Sequence, residues 1–158
     1  MKNIYNKGFS LIELLVVIAI LVLIVAVAMP KLIDFQRAQS LKNTTENIVA
    51  LLNKAQSDSY SSLNSSNYGV HFESDRMVYF IGSIYSEGKL SNVIVDFESG
   101  VEIPDDGGIN LDGGGSDIIF PRLRDNIIGY GIITIGLTSD PSRQKVITIN
   151  KSGSISSS

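Results

Sequence analysis

The chain has 158 residues, 44% of them hydrophobic, and a formal net charge of −3. This length is typical of one domain, and the acidic balance argues against a generic nucleic-acid binder. Because the chain has no cysteine, its fold cannot be stapled by a disulfide.

The chain begins with a short basic leader, and a long apolar segment follows it. Phe9 to Met29 covers 21 residues, of which Glu13 is the only charged one. As an α-helix this segment would be about 31 Å long, which matches the ~30 Å hydrocarbon core of a bilayer. Lys2 and Lys7 precede it and favour a cytoplasmic N-terminus. The sequence therefore predicts a single transmembrane helix over residues 9–29, with the rest of the chain outside the cytoplasm.

Glu13 is the unusual residue of this segment, because a carboxylate in lipid needs a partner or access to water. A functional role and a plain position at the headgroup level both stay open at this point. A different alternative concerns export. Ala26-Val27-Ala28 is similar to a signal-peptidase site, so the chain could be a secreted β-domain with an ordinary cleaved signal peptide.

The stretch from Lys7 to Ile20, KGFSLIELLVVIAI, resembles the N-terminal signal of type IV prepilins and type II secretion pseudopilins. The resemblance implies that a prepilin peptidase removes residues 1–8 by cutting between Gly8 and Phe9, and that the new amine of Phe9 is then methylated. It also implies that Glu13 neutralises the Phe9 amine of a neighbouring subunit, since a buried charge needs a partner. Pro30 falls where the family often has a helix-kinking proline.

The partners implied by this resemblance are other pilin or pseudopilin subunits, prepilin peptidase, the assembly platform of the inner membrane, and membrane lipid. The implied location is the cytoplasmic membrane, followed by a filament in the periplasm or at the cell surface.

Residues 30–66 are predicted to form an amphipathic half-helix and a linker. A stripe of period about 3.6 marks the face expected to be buried, and it consists of Leu41, Thr45, Ile48, Leu52 and Ala55. Ile33, Ala38, Val49 and Leu51 widen it. The Ser/Asn-rich stretch 57–67 competes for backbone hydrogen bonds and is expected to end the helix.

Residues 67–158 are predicted to form a β-rich globular head. The period changes to two, and the expected strands are 68–73, 77–81, 93–97, 101–103, 118–120, 131–137 and 146–149, with a short last one at Ile155. Residues 138–143 are expected to connect two of them. The predicted fold class is therefore α+β, with one long N-terminal helix packed on an antiparallel β-sheet.

The head carries a second resemblance. Tyr68–Phe72 and the segments 118–120, 131–135 and 146–155 are similar to strands of GspH/FimT-type pseudopilins and minor pilins. In that family a Gly follows a Phe by a few residues, whereas here Arg124-Asp125-Asn126 intervene before Gly129. The resemblance implies two antiparallel sheets against the helix and a minor rather than an abundant subunit.

The head offers little chemistry for catalysis. His71 is the only histidine and lies inside a strand pattern, where we expect it to face solvent or a hydrogen-bond partner. The Gly/Asp-rich stretch 104–117 could supply calcium ligands, and the candidates are Asp105, Asp106, Asp112 and Asp117. Its spacing does not match an EF-hand, so a solvated mobile loop is the preferred interpretation, with no metal and no cofactor.

The sequence thus predicts a minor pilin or pseudopilin that is not an enzyme and that assembles through its N-terminal helix. The alternative within the class is a type IV minor pilin for adhesion or DNA uptake. A DNA contact would need a basic patch. The nearest candidates are interleaved with Asp125 and Asp140, and they are Arg122, Arg124, Arg143 and Lys145.

Overall fold

The structure, a computed structural model, describes residues 8–122 and 126–158. The chain divides into two compact units, Met1–Gln36 and Arg37–Ser158. Lys2, Lys7, Arg124 and Asp125, on which parts of the sequence argument depend, lie outside the described residues.

One helix, α1, runs from Leu11 to Tyr60 and supplies residues to both units. Helical structure continues on both sides of Pro30, and a kink at that residue stays a prediction. After Tyr60 the chain makes a single 3-10 turn, Leu63–Ser65. Ser62, Asn64 and Ser65 there have positive φ, a backbone conformation that interrupts a right-handed helix. The prediction that the helix ends in the Ser/Asn-rich stretch is confirmed.

Within residues 67–122 and 126–158 the head has nine strands, and every pairing between them is antiparallel. They are β1 (Tyr68–Phe72), β2 (Arg76–Ile81), β3 (Val93–Asp96), β4 (Val101–Glu102), β5 (Ile109–Leu111), β6 (Asp117–Phe120), β7 (Gly131–Leu137), β8 (Asp140–Ile149) and β9 (Ile155–Ser157). The first sheet has the order β3-β2-β1-β6. The second has the order β4-β7-β8-β9, with β5 also paired to β7.

The core of the head lies between the helix and the inner faces of both sheets. The predicted stripe is confirmed, because Leu41, Thr45, Ile48, Leu52 and Ala55 are all buried. They pack with alternate strand residues such as Val70, Ile118, Ile133 and Ile147, all at 0% exposure. The α+β fold, one long helix packed on antiparallel sheets, is therefore as predicted.

The predicted widening of the stripe holds in part. Val49 and Leu51 pack against the core, whereas Ile33 and Ala38 are exposed. Thr44 and Ser59, which the periodicity did not select, are buried. The Thr44 hydroxyl accepts a hydrogen bond from the Glu98 backbone N–H at 3.2 Å, and the Ser59 hydroxyl donates one to the Phe120 carbonyl at 2.6 Å. These small polar residues satisfy backbone groups that face the helix.

Two segments predicted as loops contain strand. Ile109–Leu111 pairs with β7 in the middle of the Gly/Asp-rich stretch, and Leu111 is buried in the core, so the prediction of a mobile loop throughout that stretch is wrong. The segment 138–143 is also not wholly a connection, because β8 starts at Asp140 after a tight turn. A register shift between Gly136 and Leu137 accommodates this start, and irregular pairing of this kind is where a strand tolerates a proline such as Pro141.

The first sheet has a second, smaller apolar layer on the face that points away from the core. Val78, Phe80 and Ile119 lie on this outer face and are at most 6% exposed. Phe80 lies across Gly69 of β1, at which any Cβ would fall within 3.0 Å of the Phe80 ring. Glycine at position 69 therefore makes room for an aromatic ring on the outer face. Segment 82–92 covers this layer, with Tyr85 edge-on to Phe80.

Candidate functional site

The N-terminal unit carries the residues expected to be cut and methylated. Gly8 and Phe9 precede the first helical residue and are exposed, Phe9 by 77%. A Cβ added at Gly8 would meet no atom of the described residues within 4 Å. Cleavage between Gly8 and Phe9 and methylation of Phe9 stay predictions.

Glu13 lies in the first turn of α1 and has a local role that the sequence argument missed. The Ser10 hydroxyl accepts a hydrogen bond from the Glu13 backbone N–H at 3.2 Å, so Ser10 caps the helix. The order Ser-x-x-Glu is the sequence signature of a capping box and could have identified Ser10. A carboxylate in the first turn also interacts favourably with the positive end of the helix dipole.

The Glu13 side chain is exposed and, within the described part of the chain, makes no ion pair. The capping geometry uses its backbone N–H and leaves the carboxylate oxygens available to another molecule. Pairing with the amine of a neighbouring subunit therefore stays a prediction that the local geometry permits.

The apolar side chains of the N-terminal unit are exposed on every side of the helix. Helix α1 is long and apolar enough to cross a membrane, by length and composition, and its most apolar part is not buried within the described residues. The exposed side chains continue beyond the predicted span to Leu32, Ile33 and Phe35. Apolar surface of this extent needs lipid or other protein around it.

A polar cluster links the helix to the head. The Asp58 carboxylate on α1 accepts hydrogen bonds from Lys54 Nζ at 2.5 Å and from the Tyr79 hydroxyl of β2 at 2.7 Å. The Lys54 hydrogen bond holds the pKa of Asp58 below its ordinary value. Burial, together with the bond to Asp58, raises the pKa of Tyr79. These contacts fix the rotation of the helix relative to the first sheet within the head.

His71 lies on the outer face of the first sheet, with a hydrogen-bond partner as predicted. Its Nδ1 is 2.5 Å from an Asp117 carboxylate oxygen, and its ring stacks on Tyr85 at a centroid distance of 3.9 Å. The stacked ring holds the covering segment in place. Among the described residues, the side-chain contacts of this imidazole are Asp117 and Tyr85.

The four calcium candidates do not converge. Asp105 and Asp106 follow Pro104 in a turn, while Asp117 is paired with His71. Asp112 accepts a hydrogen bond from the Tyr130 hydroxyl, which raises the pKa of that tyrosine. Over residues 8–122 and 126–158, no three acidic or histidine side chains form a group that could hold a metal ion.

The basic residues considered for a DNA contact are also dispersed. Arg122 follows β6 and donates to the Ser65 carbonyl, whereas Arg143 and Lys145 lie on β8 of the other sheet. Arg143 Nε is 3.9 Å from an Asp140 carboxylate oxygen. Arg124 lies outside the described residues.

A comparison with protein families matches residues 4–29 to the prokaryotic N-terminal methylation motif. No curated protein and no solved structure matches the chain. The motif, the apolar helix and the α+β head together support a type IV pilin-like protein with a membrane anchor, a class of structural subunits that are generally not catalytic. Proteins with this motif are processed by prepilin peptidase and assemble with other pilins.

Proposed function

We propose that this protein is a minor pilin or pseudopilin subunit of the GspH/FimT type, inserted in the cytoplasmic membrane and assembled into a filament through its N-terminal helix. Prepilin peptidase cuts between Gly8 and Phe9 and the Phe9 amine is methylated. Glu13 then pairs with the Phe9 amine of a neighbouring subunit, and the head presents a surface to partners. The machine we favour is a type II secretion pseudopilus, with a type IV pilus as the alternative.

The proposal rests on the methylation motif and on the helix that follows it. The first part of this helix is exposed, and its second part belongs to the core of the head. Residues of α1 before Gln36 are exposed, whereas the buried stripe from Leu41 to Ala55 forms part of the head core. One helix therefore supplies both an assembly segment and a scaffold for the head. Such a division suits a subunit whose apolar segment stays attached after processing.

The same geometry weighs against a secreted domain released after Ala28. Cleavage there would leave Leu32, Ile33 and Phe35 on the mature protein, exposed by 52%, 45% and 66%. In a filament these side chains would be covered by helices of neighbouring subunits, because an apolar helix surface of this size needs a partner.

Processing can be tested by co-expressing the full chain with a prepilin peptidase and measuring its intact mass. We expect the loss of residues 1–8 and the gain of one methyl group. Gly8→Phe should block the cut, because a large side chain keeps the backbone away from the protease. Gly8→Ala, the matched control, should still be cut. Cleavage after Ala28 in place of Gly8 would refute the proposal and favour the secreted domain.

A further inference from the structure

The two edge strands of the first sheet differ in whether a further segment pairs with them. Strand β6 at one end is covered, because Ile119 pairs with Ile128 through two backbone hydrogen bonds. Strand β3 at the other end pairs with β2 only, and among the described residues no strand pairs with its outer side. An uncovered strand edge presents backbone donors and acceptors to any extended chain.

The register shows which backbone groups are free. Phe97 donates its N–H to Asp75 beside β2, so Val95, two residues earlier, also points its N–H and C=O toward β2. Ile94 and Asp96, which alternate with it, point theirs outward. The free edge thus offers two donors and two acceptors, spaced as a further antiparallel strand requires.

Apolar side chains surround this edge. Val93 and Ile94 are exposed by 52% and 58%, and Leu90 is fully exposed. Ile94 and Leu90 line a groove of about 310 Å³ together with Val78 and Tyr85. Proteins usually protect such an edge with lysine, proline or a covering loop, and segment 82–92 covers the adjoining face but not the edge.

The charges beside the groove are mainly negative. Arg76 is the only basic residue of β2, and three carboxylates surround it: Glu73 at 2.7 Å, Asp75 at 3.8 Å, and Asp96 on the neighbouring strand. Glu87 and Lys89 add one charge of each sign on the groove. Asn92, which also lines the groove, has a buried side-chain oxygen that accepts no hydrogen bond from the described residues. Four carboxylates and an unpaired acceptor against two cations favour a cationic, donor-rich occupant.

We propose that β3 accepts an extended segment of another protein as an additional antiparallel strand, and that this segment alternates apolar and basic side chains. Its backbone would pair with Ile94 and Asp96. Its basic side chains would point into the groove toward the carboxylates, and its apolar side chains would lie on the opposite face of the sheet, beside Val93. This mode of recognition takes affinity from backbone hydrogen bonds and specificity from alternate side chains. A second copy of β3 is a poor occupant, because it would bring a like-charged edge. The inference goes beyond assembly through the N-terminal helix and does not depend on it.

The test uses the full chain in non-ionic detergent micelles and a fluorescent peptide of about eight residues that alternates valine and lysine. Binding is followed by fluorescence anisotropy. Ile94→Pro removes one outward N–H without removing a bond to β2, and Ile94→Ala is the matched control that keeps the N–H. We expect proline to weaken binding by about tenfold and alanine by about threefold at most.

Two further measurements keep the outcome decisive. Asp96→Lys should weaken binding of the valine–lysine peptide and strengthen that of a valine–glutamate peptide, and this variant serves if Ile94→Pro fails to fold. Equal binding by the proline and alanine variants, or a preference of the unsubstituted protein for the valine–glutamate peptide, would overturn the proposal. Self-association that Ile94→Pro abolishes would also overturn it, because the occupant would then be a second copy of this chain.

Discussion

Truncating a buried leucine in the second half of α1 should destabilise the head, whereas truncating an exposed leucine in the first half should impair filament assembly alone. Leu52 is 0% exposed and packs in the core between the helix and the two sheets. Leu15 lies on the same helix in the N-terminal unit and is 56% exposed. The substitutions Leu52→Ala and Leu15→Ala therefore make the same chemical change in two different environments.

The expected magnitudes follow from burial. Leu52→Ala removes three buried carbon atoms and leaves a cavity, which costs about 2–5 kcal/mol of unfolding free energy. For a domain of this size, that loss lowers the thermal midpoint of the head by roughly 10–20 °C. Leu15→Ala leaves no cavity in the head core, so the midpoint should change by less than about 2 °C.

The assay is thermal unfolding of the full chain in detergent micelles, followed by near-ultraviolet circular dichroism. The signal comes from tyrosines, and Tyr68 and Tyr79 are buried in the head, so it reports the head rather than the apolar helix. In parallel, the ratio of the subunit in sheared filaments to that in membranes measures assembly. Leu15→Ala should lower this ratio while the midpoint stays unchanged.

Two results would refute this reasoning. An unchanged midpoint for Leu52→Ala would mean that the helix is not part of the head core. An equal fall in the midpoint for Leu15→Ala would mean that the N-terminal segment is structural for the head rather than available for assembly.

Three more predictions follow from single contacts. Glu13→Gln should leave processing and head folding intact but lower the filament-to-membrane ratio, because an unpaired buried amine costs about 3–5 kcal/mol; an unchanged ratio would make Glu13 a simple interfacial charge. Because the folded Asp58 carboxyl has a lowered pKa, it binds its proton more weakly than the unfolded one. Its contribution to stability is therefore present above about pH 4 and lost as the pH falls through the folded pKa. Lys54→Met should reduce this loss of stability at acid pH, as measured by thermal unfolding at several pH values. An unaltered pH profile of the thermal midpoint would contradict the prediction. Gly69→Ala should cost about 1–3 kcal/mol in denaturant unfolding, and Phe80→Leu should restore part of it; additive effects would show that the two residues do not contact each other.

The sequence alone predicted the apolar helix of the N-terminal unit. An uninterrupted apolar segment of 21 residues with one charge can form a bilayer-length helix without any tertiary partner, so periodicity and composition were sufficient. The buried stripe of the half-helix was also predictable, because a spacing of 3.6 residues fixes which side chains share one face. The capping role of Ser10 was within reach of the same local rules and was missed.

Only the tertiary structure decided the features that depend on residues distant in the chain. Ile109–Leu111 is too short for its own sequence to specify a strand, and it becomes one because β7 supplies its hydrogen bonds. The second apolar layer arises because Phe80 lies over Gly69 and segment 82–92 folds back across it. The apolar composition of Met77–Ile81 is typical of a strand that is buried on both faces, but it does not show which segment covers the outer face. Likewise, the four aspartates of the Gly/Asp-rich stretch were calcium candidates by composition. In the folded head, Asp112 is hydrogen-bonded to Tyr130 and Asp117 to His71. Local periodicity fixes which side chains share a face, whereas the partner that each face meets is set by long-range packing.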